Sequence, residues 1–306
     1  MTSTYDTLDH LDSRLRVFAE SLISGHSPIA LRVSLKSDTE QAARLIETST
    51  HHRIADRALA LQGWQFGLLS TVCLAAGDVP AARSYALMAR SAGLRSGNRR
   101  AEAFAAIRRA TVELHHGTAF DACKLSAAAL EQARSPLARQ EGDDLYIWAA
   151  VTLARAAARR SREDRTDLLD VYRRARSRAE AAARHLPDVS LGALSVTASQ
   201  ITAGLGDAAA DAGEEDAVEL IETGLRAYPK TGSRLISIRT SLNLARAVAL
   251  AGRTDEAVTI AMATLGELHR YEKPGDGEVR TRGLRVVKAL DGADGSRELL
   301  RLVRAV

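Results

Sequence analysis

The stretch LARAVALAGRTDEAVTIA, from Leu244 to Ala261, sets two runs of helical apolar periodicity around a glycine and a short polar patch. Glycine ends helices because it adopts the left-handed conformation without Cβ strain. Thr254 then offers a side-chain oxygen that can cap the next helix. Ala257, five residues after Gly252, is small enough to let two antiparallel helices approach closely. The stretch therefore predicts a helical hairpin.

The same arrangement recurs along the chain. Gly77 is followed by Ala82, Gly117 by Ala122, and Gly213 by an alanine four positions later. The second helix of each hairpin can be capped by a side-chain oxygen, from Asp78, Thr118 or Thr254. A degenerate unit is predicted between Gly117 and Gly213, with a glycine-free turn, SREDR, in which Ser161 can cap the second helix. A repeat of about 40 residues indicates helical-pair units that stack to bury their apolar faces.

The ends of the chain are also predicted to be helical. Residues 6–22 are amphipathic, and a capping box, Ser37 to Glu40, predicts a helix that runs from there to about Thr48. Two more helices are expected at 278–290 and 296–303, separated by DGADG.

The sequence predicts an all-α fold, an α-solenoid of antiparallel helix pairs without strands. Helix formers such as Ala, Leu and Arg dominate, and aromatic residues make up only 4% of the chain. No long linker interrupts the pattern, so we expect one continuous solenoid: N-terminal helices over 1–52, repeats over 53–272 and C-terminal capping helices over 273–306.

Compartment and redox state follow from a few features. The N-terminus lacks the basic and apolar regions of a signal peptide, and the most apolar stretch, 66–76, is too short to span a bilayer. Cys73 and Cys123 lie in apolar-periodic runs without metal-ligand spacing, which predicts buried free thiols. We expect a cytoplasmic protein.

Basic residues are concentrated between residues 155 and 184, where ten arginines face five carboxylates, whereas the whole chain carries a net charge of +4. Phosphate groups could contact this stretch, and Arg159, Arg160, Arg173 and Arg174 are the candidate contacts. Aromatic residues are nearly absent from it, and acidic residues interrupt it. We therefore favour a solvated helix face with i,i+4 ion pairs over nucleic-acid binding.

The repeats resemble tetratricopeptide repeats. In LARAVALAGRTDEAVTIAMATL, Ala245, Gly252 and Ala257 occupy the small-residue positions of that motif, and Thr264 departs from it. AAGDVPAARSYALMARSAG matches at Gly77, Ala82 and a later alanine but lacks the closing proline, which only Tyr228-Pro229 supplies elsewhere. The resemblance covers about residues 53–270 and implies an α-solenoid that binds a partner in its concave groove.

The last repeat, ARAVALAGRTDEA, and the tail, EVRTRGLRVVKALDGADGSRELLRLV, also resemble the C-terminal sensory region of actinobacterial regulators that begin with a Cro-type helix-turn-helix. This resemblance implies a ligand- or peptide-sensing transcription regulator. The residues before the repeats depart from it, because they read as two helices around SGHSPIALRVSLKSD, without the second and third helix that a DNA-binding head needs.

In tetratricopeptide repeats, the first helix of each unit lines the concave face. Carried over by position, this implies a groove formed by Trp64, Arg108, Thr111, His115, Arg239, Asn243 and Arg246. The last three are spaced four and three apart, so they share one helix face and could hold a peptide backbone or a carboxylate. Buried guanidinium groups would need paired carboxylates, so we expect Arg239 and Arg246 to be partly exposed. Trp64 and Trp148 fit a core position as well as the groove.

These observations favour a non-catalytic regulatory protein that binds a protein or peptide in its groove. The alternatives are a ligand-sensing transcription regulator with a lost or cryptic DNA-binding head, and an enzyme or enzyme accessory on an α-solenoid. No phosphate-binding loop, dinucleotide-binding or nucleophile-elbow motif occurs. Neighbouring histidines at 51–52 and 115–116 point about 100° apart on a helix, which disfavours a metal site. We expect no cofactor, metal or membrane partner, and leave a homodimer open.

Overall fold

The computed structural model describes residues 4–23, 28–135, 144–164, 167–184, 186, 194, 196–228, 234–269 and 277–306. These residues form α-helices and connecting turns, without a β-strand among them. The helices are α1 Thr4–Ile23, α2 Pro28–Thr48, α3 His52–Ala75, α4 Val79–Ser96, α5 Arg99–His116, α6 Ala119–Arg134, α7 Asp144–Asp164, α8 Leu169–Ala183, α9 Ala198–Ala212, α10 Ala217–Ala227, α11 Arg234–Leu250, α12 Thr254–His269, α13 Gly277–Ala289 and α14 Ser296–Ala305.

The helices pack as consecutive antiparallel pairs. Each odd-numbered helix contacts the even-numbered helix that follows it, and the odd-numbered helices from α3 to α13 also contact one another in succession. The odd-numbered helices therefore form an inner layer and the even-numbered helices an outer one. This arrangement confirms the predicted all-α solenoid.

The turns explain why the pairs form where they do. Gly77, Gly213 and Gly252 end their helices with φ of +78°, +74° and +81°, the left-handed conformation that favours glycine. Asp78 caps α4 by accepting a hydrogen bond from the Ala81 amide at 3.1 Å. The predicted close-contact residues Ala82, Ala122 and Ala257 are fully buried, which is consistent with their role in the close packing of each pair.

The turn at Gly117 differs from the expectation. Gly117 lies between α5 and α6 as predicted, but its backbone is extended, with φ −102° and ψ −171°. A Cβ there would lie 3.0 Å from Cα of Glu113, so the residue is small for lack of space and not because of a left-handed turn. Thr118 still caps α6, accepting from the Asp121 amide at 3.0 Å.

Two predicted helix boundaries are wrong. Helix α2 begins at Pro28, so the capping box at Ser37 lies within it. Its neighbours are used in packing instead: Asp38 accepts a hydrogen bond from Nε of Arg14 at 2.7 Å, and Thr39 donates to the Leu35 carbonyl. Likewise, Ser161 is inside α7 and does not cap α8. Pro229 lies outside the described residues.

The superhelix closes on itself. Helix α13 contacts α3, and α11 contacts α1, so the C-terminal helices return to the N-terminal repeats. Nη2 of Arg285 donates to the Leu114 carbonyl at 2.8 Å, which joins α13 to the end of α5. The inner surface is therefore enclosed on several sides and is not an open groove.

Helix α3 is largely buried. Among the described helices it alone is long and apolar enough to cross a bilayer, but 89% of that apolar window is buried inside the fold, as in the core helix of a folded domain. It carries Cys73, and α6 carries Cys123; both are buried free thiols, as predicted.

Candidate functional site

A cavity of about 220 Å³ lies on the inner surface, where seven helices of the inner layer converge. Helix α1 contributes Leu22, and α3, α5, α7, α9, α11 and α13 each contribute at least one polar side chain. Within α5, α7, α11 and α13 these side chains recur at the spacings of three and four that place residues on one helix face. Its polar and aromatic lining consists of Thr71, Arg108, Thr111, His115, Trp148, Thr152, Arg155, Gln200, Arg239, Thr240, Asn243, Glu278 and Arg282.

The cavity brings together most of the residues predicted to form the groove. Arg108, Thr111 and His115 reach it from α5, and Arg239 and Asn243 reach it from α11. Their convergence follows from the solenoid, which stacks the same face of successive inner helices. Their role in binding stays a prediction.

Trp64 does not line the cavity. Its ring stacks on Phe104, with centroids 4.4 Å apart and planes at 28°. Phe104 in turn meets Trp148 edge-on at 6.1 Å. Trp64 therefore packs in the core, whereas Trp148 forms part of the cavity wall.

The predicted exposure of Arg246 is wrong. Arg246 is only 4% exposed and bonds Asp207, with Nη1 to Oδ1 at 2.8 Å, and Asp211. Arg155 bonds the other oxygen of Asp207, also at 2.8 Å. The ion pairs with two carboxylates on α9 thus offset the free-energy cost of burying this guanidinium. Arg246 therefore holds α11 against α9 beside the cavity.

A second ionic cluster lies in the cavity wall itself. Glu278 accepts from Arg239 at 3.0 Å and lies 3.5 Å from Arg282. Arg282 also donates to Oδ1 of Asn243 at 2.9 Å. Burial by itself would raise the pKa of Glu278, but Arg239, Arg282 and Arg108 hold it below its usual range. Arg239 is partly exposed, as expected, with its side chain 15% accessible.

Arg108 has a different environment. Its Nη1 donates to the Thr71 hydroxyl at 3.2 Å, and its guanidinium carbon lies 3.9 Å from the centre of the Trp148 ring. Its Nε and Nη2 are buried without a hydrogen-bond partner among the described residues. Burial lowers the pKa of Arg108 to about 9, and Glu278 opposes that shift from a distance. The side chain therefore remains charged at neutral pH.

His115 is a neutral member of the lining. Burial lowers its pKa well below the usual value, and the charges of Arg282, Arg285 and Arg155 lower it further. Its Nδ1 has no partner among the described residues. The ring of His116 is 6.5 Å away, centre to centre. Across the ranges that the structure describes, no group of three or more His, Cys, Asp or Glu side chains could hold a metal ion.

Sequence reasoning missed the contribution of α13. Glu278, Arg282 and Arg285 are spaced four and three apart, which places them on one face of α13 just as Arg239, Asn243 and Arg246 share a face of α11. That periodicity was a usable signal. Capping helices were predicted over 273–306, and α13 in addition forms part of the cavity wall.

The four candidate phosphate contacts are distributed differently. Arg159 donates to the Leu114 carbonyl at 2.7 Å and pairs with Glu163, and Arg160 pairs with Asp164. Arg173 and Arg174 lie exposed on α8, where Arg173 is 3.7 Å from Asp170. Arg159 and Arg160 thus make internal contacts, and the i,i+4 pairing expected for this stretch is present at both.

Comparisons with known proteins give little guidance. No family model matches the chain, and no curated protein matches it. A solved structure described as a circular tandem repeat protein with novel repeat topology and enhanced subunit contact surfaces aligns over 98% of this chain and 82% of its own length. The sequence identity is 15% and the TM-score 0.25, so the alignment carries no argument about function.

Proposed function

We propose that the protein is a non-catalytic binding protein with a regulatory role, which receives a protein or peptide partner at the cavity on its inner surface. One observation carries the proposal: polar side chains from six helices converge on one concave site. Enclosed sites with a few convergent polar groups are the usual places for ligands. Solenoid proteins in general bind partners on their inner surface.

The size of the cavity limits how a partner enters. About 220 Å³ is below the range of roughly 300–1,000 Å³ that is typical of pockets for drug-sized ligands. It corresponds to roughly seven water molecules at about 30 Å³ each. A peptide would therefore insert one side chain or one chain end, while the rest of it contacts the rim.

The charge of the lining favours an acidic group. Four arginines line the cavity, Arg108, Arg155, Arg239 and Arg282, against the single carboxylate Glu278 among the described lining residues. Asp207 offsets Arg155 from behind the wall. The remaining positive charge would attract an acidic side chain or a terminal carboxylate.

The hydroxyls of the lining support a binding role over a catalytic one. Thr111 and Thr152 each donate to a carbonyl of their own helix at 2.8 Å, so neither is paired with a base as a nucleophile would be. Internal contacts of Arg159 and Arg160 likewise disfavour the alternative in which the basic stretch holds nucleic acid. A ligand-sensing regulator remains the second candidate, because the small volume suits a small ligand.

Selection of short peptides against the full chain tests the proposal. Thr240 lines the cavity, and among the described residues its hydroxyl bonds the Ile236 carbonyl of its own helix, so Thr240→Phe fills the site without removing a hydrogen bond between described helices. Thr259 makes the same kind of bond on the exposed face of α12, so Thr259→Phe is the matched control. We expect the selected peptides to bind wild type and Thr259→Phe but not Thr240→Phe. Equal binding to all three, or failure to select any peptide, would refute the proposal.

A further inference from the structure

The starting observation is the unused edge of Arg108. Nε and the adjacent Nη2 form the side of a guanidinium that takes two oxygens of one carboxylate or phosphate. In Arg108 both atoms are buried and have no partner among the described residues. The third nitrogen is fixed by Thr71, and the plane of the group is fixed by Trp148. Arg108 lines the cavity, so its guanidinium, which has no carboxylate partner among the described residues, is held in place in the cavity wall.

The same molecule contains this edge in its paired form. Nε and Nη2 of Arg83 donate to the two carboxylate oxygens of Glu113 at 2.7 and 2.8 Å. That pair is partly exposed, with 45% of the Arg83 side chain accessible. Arg108 is only 6% exposed, so its need for an anion is greater, because an unpaired buried charge is costly.

Two further nitrogens without a partner belong to residues of the same lining. Nε of Arg282 and Nδ1 of His115 are buried and have no hydrogen-bond partner among the described residues. Both residues line the cavity with Arg108. Three side chains with unmet hydrogen-bonding capacity in a cavity of about 220 Å³ indicate a site built for a small polar group.

We propose that the cavity binds a small molecule that carries a carboxylate or phosphate group, and that this oxyanion pairs with the guanidinium of Arg108. The inference rests on the proposed function only in taking the cavity as the binding site. It differs in naming a free small anion as the occupant. Arg108 supplies the positive charge, Thr71 and Trp148 orient it, and the cavity volume of about 220 Å³ limits the molecule to about the size of succinate or inorganic phosphate.

Melting of the full chain with inorganic phosphate or succinate, at ionic strength matched with sodium chloride, tests this inference. A ligand that binds the folded state raises the melting midpoint with its concentration. The intrinsic fluorescence is a second readout, because Trp64 and Trp148 both contact Phe104, next to Arg108. Arg108→Gln removes the positive charge. Arg109→Gln removes the same charge from the next residue of α5, which does not line the cavity.

We expect at least one of the two probes to raise the midpoint of wild type and Arg109→Gln, and to bind Arg108→Gln at least about tenfold more weakly. The probe that binds identifies the oxyanion, and binding of both identifies the shared chemistry. If Arg108→Gln fails to fold, Thr240→Phe replaces it and should abolish the shift. No shift with either probe, or an equal shift in the cavity variants, overturns the inference. If Thr240→Phe abolishes peptide binding but neither phosphate nor succinate shifts the melting midpoint of wild type, this inference is overturned and the proposed function stands.

Discussion

Gly77 and Gly277 meet backbone to backbone: a Cβ on Gly277 would lie 2.5 Å from Cα of Gly77. The first of these residues ends α3 and the second begins α13, so their contact is where the superhelix closes. No side chain fits at such a separation. The enclosure of the cavity therefore depends on a glycine at position 277.

We expect Gly277→Ala to lower the free energy of unfolding by roughly 1–3 kcal/mol through overpacking at the closure. Gly266 is the control, because a Cβ there meets nothing within 4 Å in α12. Gly266→Ala should be neutral or stabilising by roughly 0.4–1 kcal/mol, since alanine reduces the entropy of the unfolded chain. Urea unfolding of both variants measures the difference, and a neutral Gly277→Ala would contradict the tight closure.

The close approach within a helix pair is tested at Ala257. This residue is fully buried between α11 and α12. A leucine there would force the two helices apart, so Ala257→Leu should destabilise the protein by roughly 1–3 kcal/mol. Thermal unfolding measures the effect. A melting midpoint equal to that of wild type would be incompatible with the packing described above.

Local patterns were enough to predict most of the helices, the left-handed turns at Gly77 and Gly252 and the inner faces of α5 and α11. Helical periodicity places Arg108, Thr111 and His115 on one face whatever the rest of the chain does. The same reasoning failed for Arg246, because its partners Asp207 and Asp211 lie in the preceding repeat. Which side chains meet across repeats depends on the angles between helix pairs, and no short stretch of sequence specifies those angles.

The closure of the superhelix could not be predicted for the same reason. Small rotations accumulate over successive pairs before α13 meets α3, so an open groove and a partly enclosed cavity share one repeat pattern. The closure changes the interpretation of the C-terminal helices: Glu278 and Arg282 form part of the cavity wall, whereas the sequence predicted only a cap.

Acid should destabilise the protein in two steps. His115 is buried with a lowered pKa, so the unfolded chain binds a proton there near pH 6.5 and the folded chain does not. The free energy of unfolding must then fall as the pH decreases below about 6.5. Burial opposes ionisation of Asp207, but Arg155 and Arg246 hold its pKa well below the usual value. Its contribution is present at neutral pH and is lost only below about pH 4.

The substitution His115→Gln should remove most of the fall in the free energy of unfolding that begins below about pH 6.5. Urea unfolding at a series of pH values between about 7 and 5 measures it. His116, half-buried and also with a lowered pKa, should leave a smaller residual slope. The exposed His10 provides the matched variant, His10→Gln, which should keep the slope of wild type. An unchanged slope in His115→Gln would contradict the buried neutral imidazole.

The last prediction separates a structural arginine from a binding one. Arg246 and Arg108 are both almost fully buried on the inner layer, but only Arg246 has carboxylate partners. Arg246→Met removes one of the two arginines that pair with each of Asp207 and Asp211, which keep Arg155 and Arg162, so we expect a loss of roughly 3 kcal/mol in the free energy of unfolding.

Arg108→Met should not lower the free energy of unfolding, in contrast to Arg246→Met. No ion pair to Arg108 exists among the described residues, and two of its three nitrogens are unsatisfied. Methionine fills a similar volume without the desolvation cost, so we expect the free energy of unfolding of the ligand-free protein to be unchanged or higher. The variant should at the same time lose the stabilisation that phosphate or succinate gives to wild type. A large loss of stability in the absence of any anion would mean that Arg108 is a structural residue like Arg246. A buried charge that no partner within the protein stabilises is expected where that charge serves to bind a ligand.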